Sequence, residues 1–355
     1  MKRTVSVTDA ELVNADCLEV LAGMDEHSVD LIVTDPPYFR VKPEGWDHQW
    51  RGDEDYLCWL DKCLGEFARI LKPEGSLYLF CGHRLSADIE LMLRRRFNVL
   101  NHIIWAKPSG RWKGCCKESL RCYFPSTERI LFAEHYPGPY QGRADCNNTR
   151  SSSLRAGVMA PLISYFRNAR SQAGLSVSKI VRRTGKQTAS HWFSLQQWYL
   201  PGEEDYLNLQ RLFAESAGEY EVTSTKTTNA GILNRNYHEL FTEYKARSEI
   251  VKSLRRYFVV SIAVPYTDVW TYPPVAYYPS KHPCEKPAEM LRDIILASSR
   301  PGGLVADFFM GSGSTIKAAL HCGRRALGVE LESERFDVTV REVVAQYSHP
   351  PMHRD

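Results

Sequence analysis

The chain contains no run of eighteen or more apolar residues, and its opening Met1-Lys2-Arg3-Thr4-Val5-Ser6 has no apolar leader core. Neither a membrane-spanning helix nor a secretory signal is expected, and the expected location is the cytoplasm. CxxC pairs are also missing. The ten cysteines lie at 17, 58, 63, 81, 115, 116, 122, 146, 284 and 322, an irregular spacing that favours reduced thiols over a disulfide framework or a zinc site from Cys115, Cys116, Cys122 and His135. There is no internal repeat and no long low-complexity tract. With 43% hydrophobic and 25% charged residues, the composition excludes disordered, collagen-like and coiled-coil classes. The 355 residues suffice for one large α/β domain with an insertion, or for two ordinary domains.

Acid is missing from one stretch. Residues 151–200 carry seven Lys+Arg and no Asp or Glu, and 107–150 carry eight against four, whereas 1–106 carry twelve against eighteen and 201–355 eighteen against twenty. The net charge of +3 therefore hides a basic middle between acidic flanks. A solvated face gives the same count, but fifty residues without an acid favour a polyanionic partner such as nucleic acid.

Residues 12–133 alternate short β-rich and helical runs. The pattern predicts strands at Val29–Thr34, Ser76–Cys81, Val99–Lys107 and Arg129–Ala133, and helices at Tyr56–Leu71 and Ser86–Arg96, with a turn at Lys72-Pro73-Glu74-Gly75. The same texture returns with a helix at Ala288–Ser299, a strand at Leu304–Phe308, a helix at Ser314–His321 and a strand at Arg325–Leu331. Both halves are expected to form one doubly wound, mostly parallel sheet. Between them Gly138-Pro139 opens a polar linker, and from Pro161 helices are expected at Leu162–Ala173, Ser176–Thr184, Gln187–Leu195, Glu203–Ala217 and Leu233–Arg256. The expected division is 1–135, a helical insertion at 136–260, and 261–355.

Thr34-Asp35-Pro36-Pro37-Tyr38 directly follows the apolar run Leu31-Ile32-Val33, just past the carboxyl end of a strand, where open α/β sheets bind ligands. Two prolines fix φ and remove two N–H donors, so the loop offers acceptors. An amino group held by a carboxylate and a carbonyl has both N–H bonds occupied, which turns its lone pair outward as a nucleophile. Tyr38 can stack on the ring bearing the amine. Asp307-Phe308-Phe309-Met310-Gly311-Ser312-Gly313-Ser314-Thr315 comes after another strand and opens a helix. The third glycine of G-x-G-x-x-G is missing and no P-loop lysine is present, which disfavours NAD and ATP. Glu330, at the end of the next strand, stands where an acid can take ribose hydroxyls.

With His282-Pro283-Cys284-Glu285-Lys286-Pro287, these motifs resemble the signatures of S-adenosylmethionine-dependent DNA amino-methyltransferases, and the order of catalytic motif before cofactor loop resembles the β class. The chain further resembles prophage-borne adenine methyltransferases of relaxed specificity. The resemblance covers roughly 12–135 and 265–345. It implies a Rossmann-like core with an inserted helical domain, S-adenosylmethionine as methyl donor, double-stranded DNA as partner and no membrane, with a homodimer as one oligomeric option. It assigns Asp35, Pro36, Pro37 and Tyr38 to the flipped base. Asp307, Phe309, Gly311, Gly313, Ser314 and Thr315 fall to the cofactor loop, Glu330 to the ribose, Asp16 to the cofactor's adenine, and Lys286 or His282 to its methionine carboxylate. Trp46, Trp50 and Trp105–Arg111, including Lys107 and Arg111, resemble target-side elements. Ser109 has no His or acid placed to activate it. Asp-Pro-Pro-Tyr is usual among adenine-N6 enzymes, whereas Ser-Pro-Pro-Tyr is common among cytosine-N4 enzymes. Alternatives are a cytosine-N4 enzyme, a DNA-binding regulator with a non-catalytic core, and an RNA or protein-glutamine methyltransferase, whose usual Asn is replaced here by Asp35.

Within the insertion, Ser176–Gly185 followed by Lys186–Phe193 resembles a helix-turn-helix. Gln187, Thr188, Ser190 and His191 are its candidate base contacts, and Arg167, Arg170, Lys179, Arg182, Arg183 and Lys186 its phosphate contacts. A plain helical bundle bracing the sheet gives the same pattern.

Overall fold

The computed structural model describes residues 2–39, 49–108, 118, 121–135, 146–195, 197–216, 232–260, 267–278 and 284–347. The chain divides into two compact units, Met1–Tyr136 with Arg256–Asp355, and Pro137–Arg255.

The first unit is built on a nine-stranded sheet in the order β1-β2-β9-β8-β3-β4-β6-β5-β7. Its strands are β1 (Arg3–Val7), β2 (Ala10–Asn14), β3 (Val29–Thr34), β4 (Leu71–Cys81), β5 (Phe97–Ala106), β6 (Thr127–His135), β7 (Val269–Trp270), β8 (Leu304–Asp307) and β9 (Arg325–Glu330). The run β2, β9, β8, β3, β4 is parallel throughout; β1 joins it antiparallel, and β6 runs antiparallel to both β4 and β5. The expected sheet is present, with an antiparallel flank.

Central strands are apolar on both faces, as burial on both sides requires. In β4, Leu77, Leu79 and Cys81 pack on one side with α1 (Cys17–Ala22), α2 (Asp53–Ile70) and α3 (Ser86–Leu93), while Tyr78 and Phe80 face the other. That second side is covered by α8 (Ala288–Ser298), α9 (Ser314–His321) and α10 (Ser333–Tyr347). Helix α2 buries Tyr56, Leu60, Cys63, Leu64, Phe67 and Ile70, a stripe at i, i+4, i+7, i+8, i+11 and i+14 that follows the helical period.

Lys72–Gly75, expected as a turn, lies inside β4. The pairing with β3 jumps from Val29↔Leu71 to Leu31↔Ser76, so extra residues bulge out before the apolar run resumes. Pairing there prevails over the local Pro and Gly signal.

The second unit is helical: α4 (Cys146–Gln172), α5 (Val177–Thr184), a 3-10 helix at Gln187–Phe193, α6 (Glu203–Ser216) and α7 (Tyr237–Ser253). Its own core gathers Phe166, Ile180, Trp192, Trp198, Tyr206, Phe213 and Leu240. Helix α4 extends beyond the predicted start and carries Pro161 in its interior. Ser176 caps α5 by accepting from Lys179 N–H, and Gly185 ends it at φ 69°, the left-handed position where a Cβ is unfavourable. The second helix of the predicted pair is a 3-10 turn, not an α-helix. Among the described residues no helix is long and apolar enough to cross a membrane.

Candidate active site

Strands β3 and β8 are parallel neighbours, and their onward connections lead in opposite directions, β3 through α2 to β4 and β8 through α9 to β9. Such a switch point opens a crevice at the strand carboxyl ends. Asp35 leaves β3 and Asp307 ends β8 at this place. Thr34 ties them together: its hydroxyl donates to Asp307 Oδ1 at 2.9 Å and accepts from Phe308 N–H at 3.1 Å.

Asp35 belongs to a chain of buried charges. Lys286 donates to Asp35 Oδ2 and stands 3.6 Å from Glu128 Oε2. Glu128 also accepts from Tyr38 OH at 3.2 Å and pairs with Lys107. Asp35 Oδ1 is buried and has no hydrogen-bond partner among the described residues, an acceptor left over in a place where unpaired polar atoms are rare. Burial pushes the Asp35 pKa up, and the Glu128 carboxylate adds to this against the opposing pull of Lys286. Burial would depress Lys286, but Asp35 and Glu128 outweigh it and hold the ammonium charged. Burial alone would raise Glu128; Lys286 and Lys107 instead keep it below the usual carboxylate range. The Tyr38 ring lies against Gly82, where a Cβ would come within 3.3 Å of Tyr38 Cδ2.

The loop after β8 is shaped by its glycines. Gly311 and Gly313 have φ of 48° and 68°, and a Cβ on Gly313 would stand 2.5 Å from Thr339 Cγ2, so neither conformation nor space admits another residue. Asp307 is held from within, its Oδ1 accepting from the Thr34 hydroxyl and from Phe309 N–H at 3.1 Å. Burial nevertheless lifts its pKa to about 6. Glu330 accepts from Gly311 N–H at 3.0 Å and Glu332 N–H at 2.9 Å, and burial raises its pKa. Asp16 caps α1 by accepting from Leu18 N–H at 2.8 Å. Ser314 shares a hydroxyl bond of 2.8 Å with Ser312.

A single cavity of about 400 Å³ joins these parts. Asp16, Phe309, Gly311, Ser314, Thr315 and Glu330 line one portion, and Asp35, Pro36, Pro37, Tyr38, Lys107, Glu128 and Lys286 another, with Asp307 also in the wall. A glycine with φ of 48° in the cavity wall, next to a buried carboxylate at the end of the following strand, fits a nucleoside with ribose hydroxyls.

The profile of the N6/N4 methyltransferase family, described as DNA methylase, matches residues 29–341. The chain belongs to this family. As an N6/N4 DNA methyltransferase it has relatives along most of its length. It is 25% identical over 343 residues to the DNA adenine methyltransferase YhdJ of Escherichia coli K12, covering 95% of this chain and 84% of that one. It is 23% identical over 228 residues to the type II methyltransferase M.HpaI of Haemophilus parainfluenzae, 64% and 66% of the two chains. The DNA modification methylase TTHA0409 of Thermus thermophilus, solved with S-adenosyl-L-methionine, aligns with a TM-score of 0.48 at 21% identity over 94% of this chain and 93% of that one. Membership, together with an intact Asp35–Tyr38 loop and both loop glycines, disfavours the reading as a regulator with a decayed core.

In this methyltransferase the helical unit presents its basic residues unequally. Lys179, Arg182, Arg183, Lys186, Gln187 and Thr188 are exposed, and Ser190 and His191 half-buried. Arg183 pairs with Glu215 at 2.7 Å and Lys186 with Asp205 at 2.6 Å. Arg170 turns inward, 5.6 Å from the Phe193 ring centre. Lys107 lies in the cavity wall over Trp105. Trp50 is packed among Phe39, Tyr56 and Trp59, ordinary aromatic packing. Trp46, Ser109, Arg111, Cys115, Cys116 and His282 lie outside the described residues. Sequence reasoning missed Glu128, the hydroxyl of Thr34 and Gly82. An acid two positions before the apolar strand run Ile130-Leu131-Phe132-Ala133 was the available signal for Glu128.

Proposed function

We propose that this protein transfers a methyl group from S-adenosylmethionine to the N6 amino group of an adenine flipped out of duplex DNA, with little dependence on sequence context and by the β-class arrangement. The observation that carries the reading is the buried Asp35 Oδ1, which has no hydrogen-bond partner among the described residues, in a loop whose two prolines offer carbonyl acceptors and no N–H donors of their own. An exocyclic amine has two hydrogens to place, and a carboxylate with a neighbouring carbonyl takes both. Pyramidalised in this way, the nitrogen presents its lone pair away from its acceptors. Tyr38, tethered through its hydroxyl to Glu128, offers a fixed ring face for base stacking, worth roughly 1–3 kcal/mol. Adenine over cytosine is supported by the Asp-Pro-Pro-Tyr form of the motif and by the named activity of YhdJ.

Gly311, Gly313, Ser314, Thr315 and Phe309 would hold the methyl donor, with Glu330 on its ribose hydroxyls, Asp16 on its adenine and Asp307 shaping the loop. When bound, S-adenosylmethionine supplies an electrophilic methyl group on a sulfonium. The chain's own residues then need only hold the amine and accept hydrogen bonds from it; direct displacement requires no thiol nucleophile, so all ten cysteines are dispensable as nucleophiles.

Flipping costs a few kcal/mol that DNA contacts must offset. The helical unit, 137–255, supplies basic side chains for this purpose, and its candidate recognition turn offers a single Gln able to read a base bidentately, with short hydroxyls otherwise. Backbone contact with weak base readout gives broad specificity. Neutralising Lys179 or Arg182 is expected to lower the slope of log affinity against log salt by about one unit each. Arg183 and Lys186, already paired with Glu215 and Asp205, give smaller changes.

The test is incubation with methyl-labelled donor and, in parallel, random-sequence duplex DNA, RNA and protein, followed by mapping of modified positions. Label in adenines of many contexts is the expected result. A fixed consensus of four or more bases would show that the helical unit reads sequence, and label in RNA or protein alone would overturn the reading.

A further inference from the structure

The Lys286 ammonium sits between two carboxylates. It is hydrogen-bonded to Asp35 Oδ2 and, by a 3.3 Å contact, to the Cys284 carbonyl, while Glu128 Oε2 is 3.6 Å away, just beyond hydrogen-bonding distance. The ammonium also lies 5.0 Å from the Phe80 ring centre and 5.7 Å from that of Tyr38, and its side chain is only 8% exposed. A buried cation must keep a partner. In this arrangement it has one in use and a second within a bond rotation.

We propose that Lys286 is a displaceable stand-in for the target amino group: its ammonium occupies Asp35 while the pocket is free of a base, and Glu128 receives it when the base arrives. The inference rests on the reading of Asp35 as acceptor of that amine and names two positioning residues for it. Two physical arguments carry it. Asp35 cannot accept well from a neutral amine while a full positive charge draws on the same carboxylate. The amine nitrogen also gains positive charge as it is methylated, and an ammonium fixed at the same carboxylate would oppose that. Glu128 resolves both difficulties, because Lys107 and the Tyr38 hydroxyl already hold it in place. The same move keeps Tyr38 and Lys286 linked through one carboxylate, so stacking and release of Asp35 become a single event.

The signature of a hand-off is the sign of the coupling between the two residues. Residues in one network couple measurably in double-mutant cycles. Glu128→Gln removes the receiver and leaves the competitor, so duplex DNA that keeps the target adenine and carries 2-aminopurine as its stacking neighbour is expected to lose its flipping fluorescence and the KM for DNA to rise, each by about tenfold, while S-adenosylmethionine affinity stays unchanged. Lys286→Met in the Glu128→Gln background removes the competitor, and flipping is expected to recover to that of Lys286→Met alone. A double variant at or below the product of the two single effects would overturn the hand-off, as would a Glu128→Gln enzyme that flips normally. If a variant does not fold, the full-length wild-type enzyme in complex with a duplex that places the target adenine in the pocket decides: Lys286 Nζ on Glu128 supports the proposal, and Lys286 Nζ still on Asp35 contradicts it. A wild-type enzyme that modifies no DNA removes the underlying reading, whereas methylation with no such coupling removes only the hand-off.

Discussion

Two aspartates stand at the carboxyl ends of neighbouring parallel strands, Asp35 directly after the Thr34 whose hydroxyl donates to Asp307, and their surroundings differ in kind. Asp307 opens a glycine loop rich in N–H groups, and its Oδ1 accepts from both the Thr34 hydroxyl and Phe309 N–H. Asp35 opens a proline loop that can donate almost nothing, and one of its oxygens has no hydrogen-bond partner among the described residues. The first carboxylate is consumed in shaping the chain; the second is kept available for a ligand. Equal residues at equivalent strand ends thus divide into a structural and a chemical role according to whether glycines or prolines come after them.

Replacing the available carboxylate has the largest expected effect. Asp35→Ala should lower turnover by about 10²–10³-fold or more, the scale for removing a preorganised hydrogen-bonding group at a reacting centre, with S-adenosylmethionine affinity by calorimetry nearly unchanged. Turnover near the wild-type rate would break the distinction. Gly313→Ala attacks the other loop: the left-handed backbone alone costs roughly 1–2 kcal/mol, and the new Cβ meets Thr339 at 2.5 Å. Cofactor affinity should fall by about tenfold or more, while the proline loop is untouched.

A third test uses proton linkage. Asp307 titrates at about 6 in the folded protein, raised by burial from the usual 3.8. The folded state therefore keeps a proton that the unfolded chain releases between those values, and stability is lost as pH rises through that window. Asp307→Asn, whose Oδ1 can still accept from Thr34 and Phe309 N–H, should melt a few degrees higher than wild type at pH 8 and gain nothing near pH 4. An equal gain at both pH values would contradict a buried, satisfied carboxylate. The smallest effect is expected from Thr34→Val, which deletes the hydroxyl between the two aspartates and strands Phe308 N–H, at about 1–2 kcal/mol, read as a lower Tm with a modest fall in kcat.

The two loops were legible in the sequence because each is local: strand, acid and special backbone residues stand in one stretch. The alternation of strands and helices was legible for the same reason. The long-range parts of the site were not. Glu128 and Lys286 are 158 positions apart, and only the antiparallel β6 and the approach to α8 bring them to Asp35. The acids that pair with Arg183 and Lys186 lie beyond the acid-free stretch 151–200, so counting charge along the chain overstates how much positive charge that stretch has to offer. The β1–β2 hairpin and α10 carry short or polar-faced patterns that gain meaning only when β1 pairs with β2, β2 with β9, and Phe336 and Val343 reach the core. Pairing likewise overruled the Pro-Glu-Gly signal at 73–75.

The most direct measurement is nucleoside analysis of unmethylated duplex DNA after incubation with S-adenosylmethionine and either the wild-type protein or Asp35→Ala. The account predicts N6-methyladenine from the wild type and none above background from the variant. N4-methylcytosine from the wild type, or N6-methyladenine undiminished in Asp35→Ala, would contradict it.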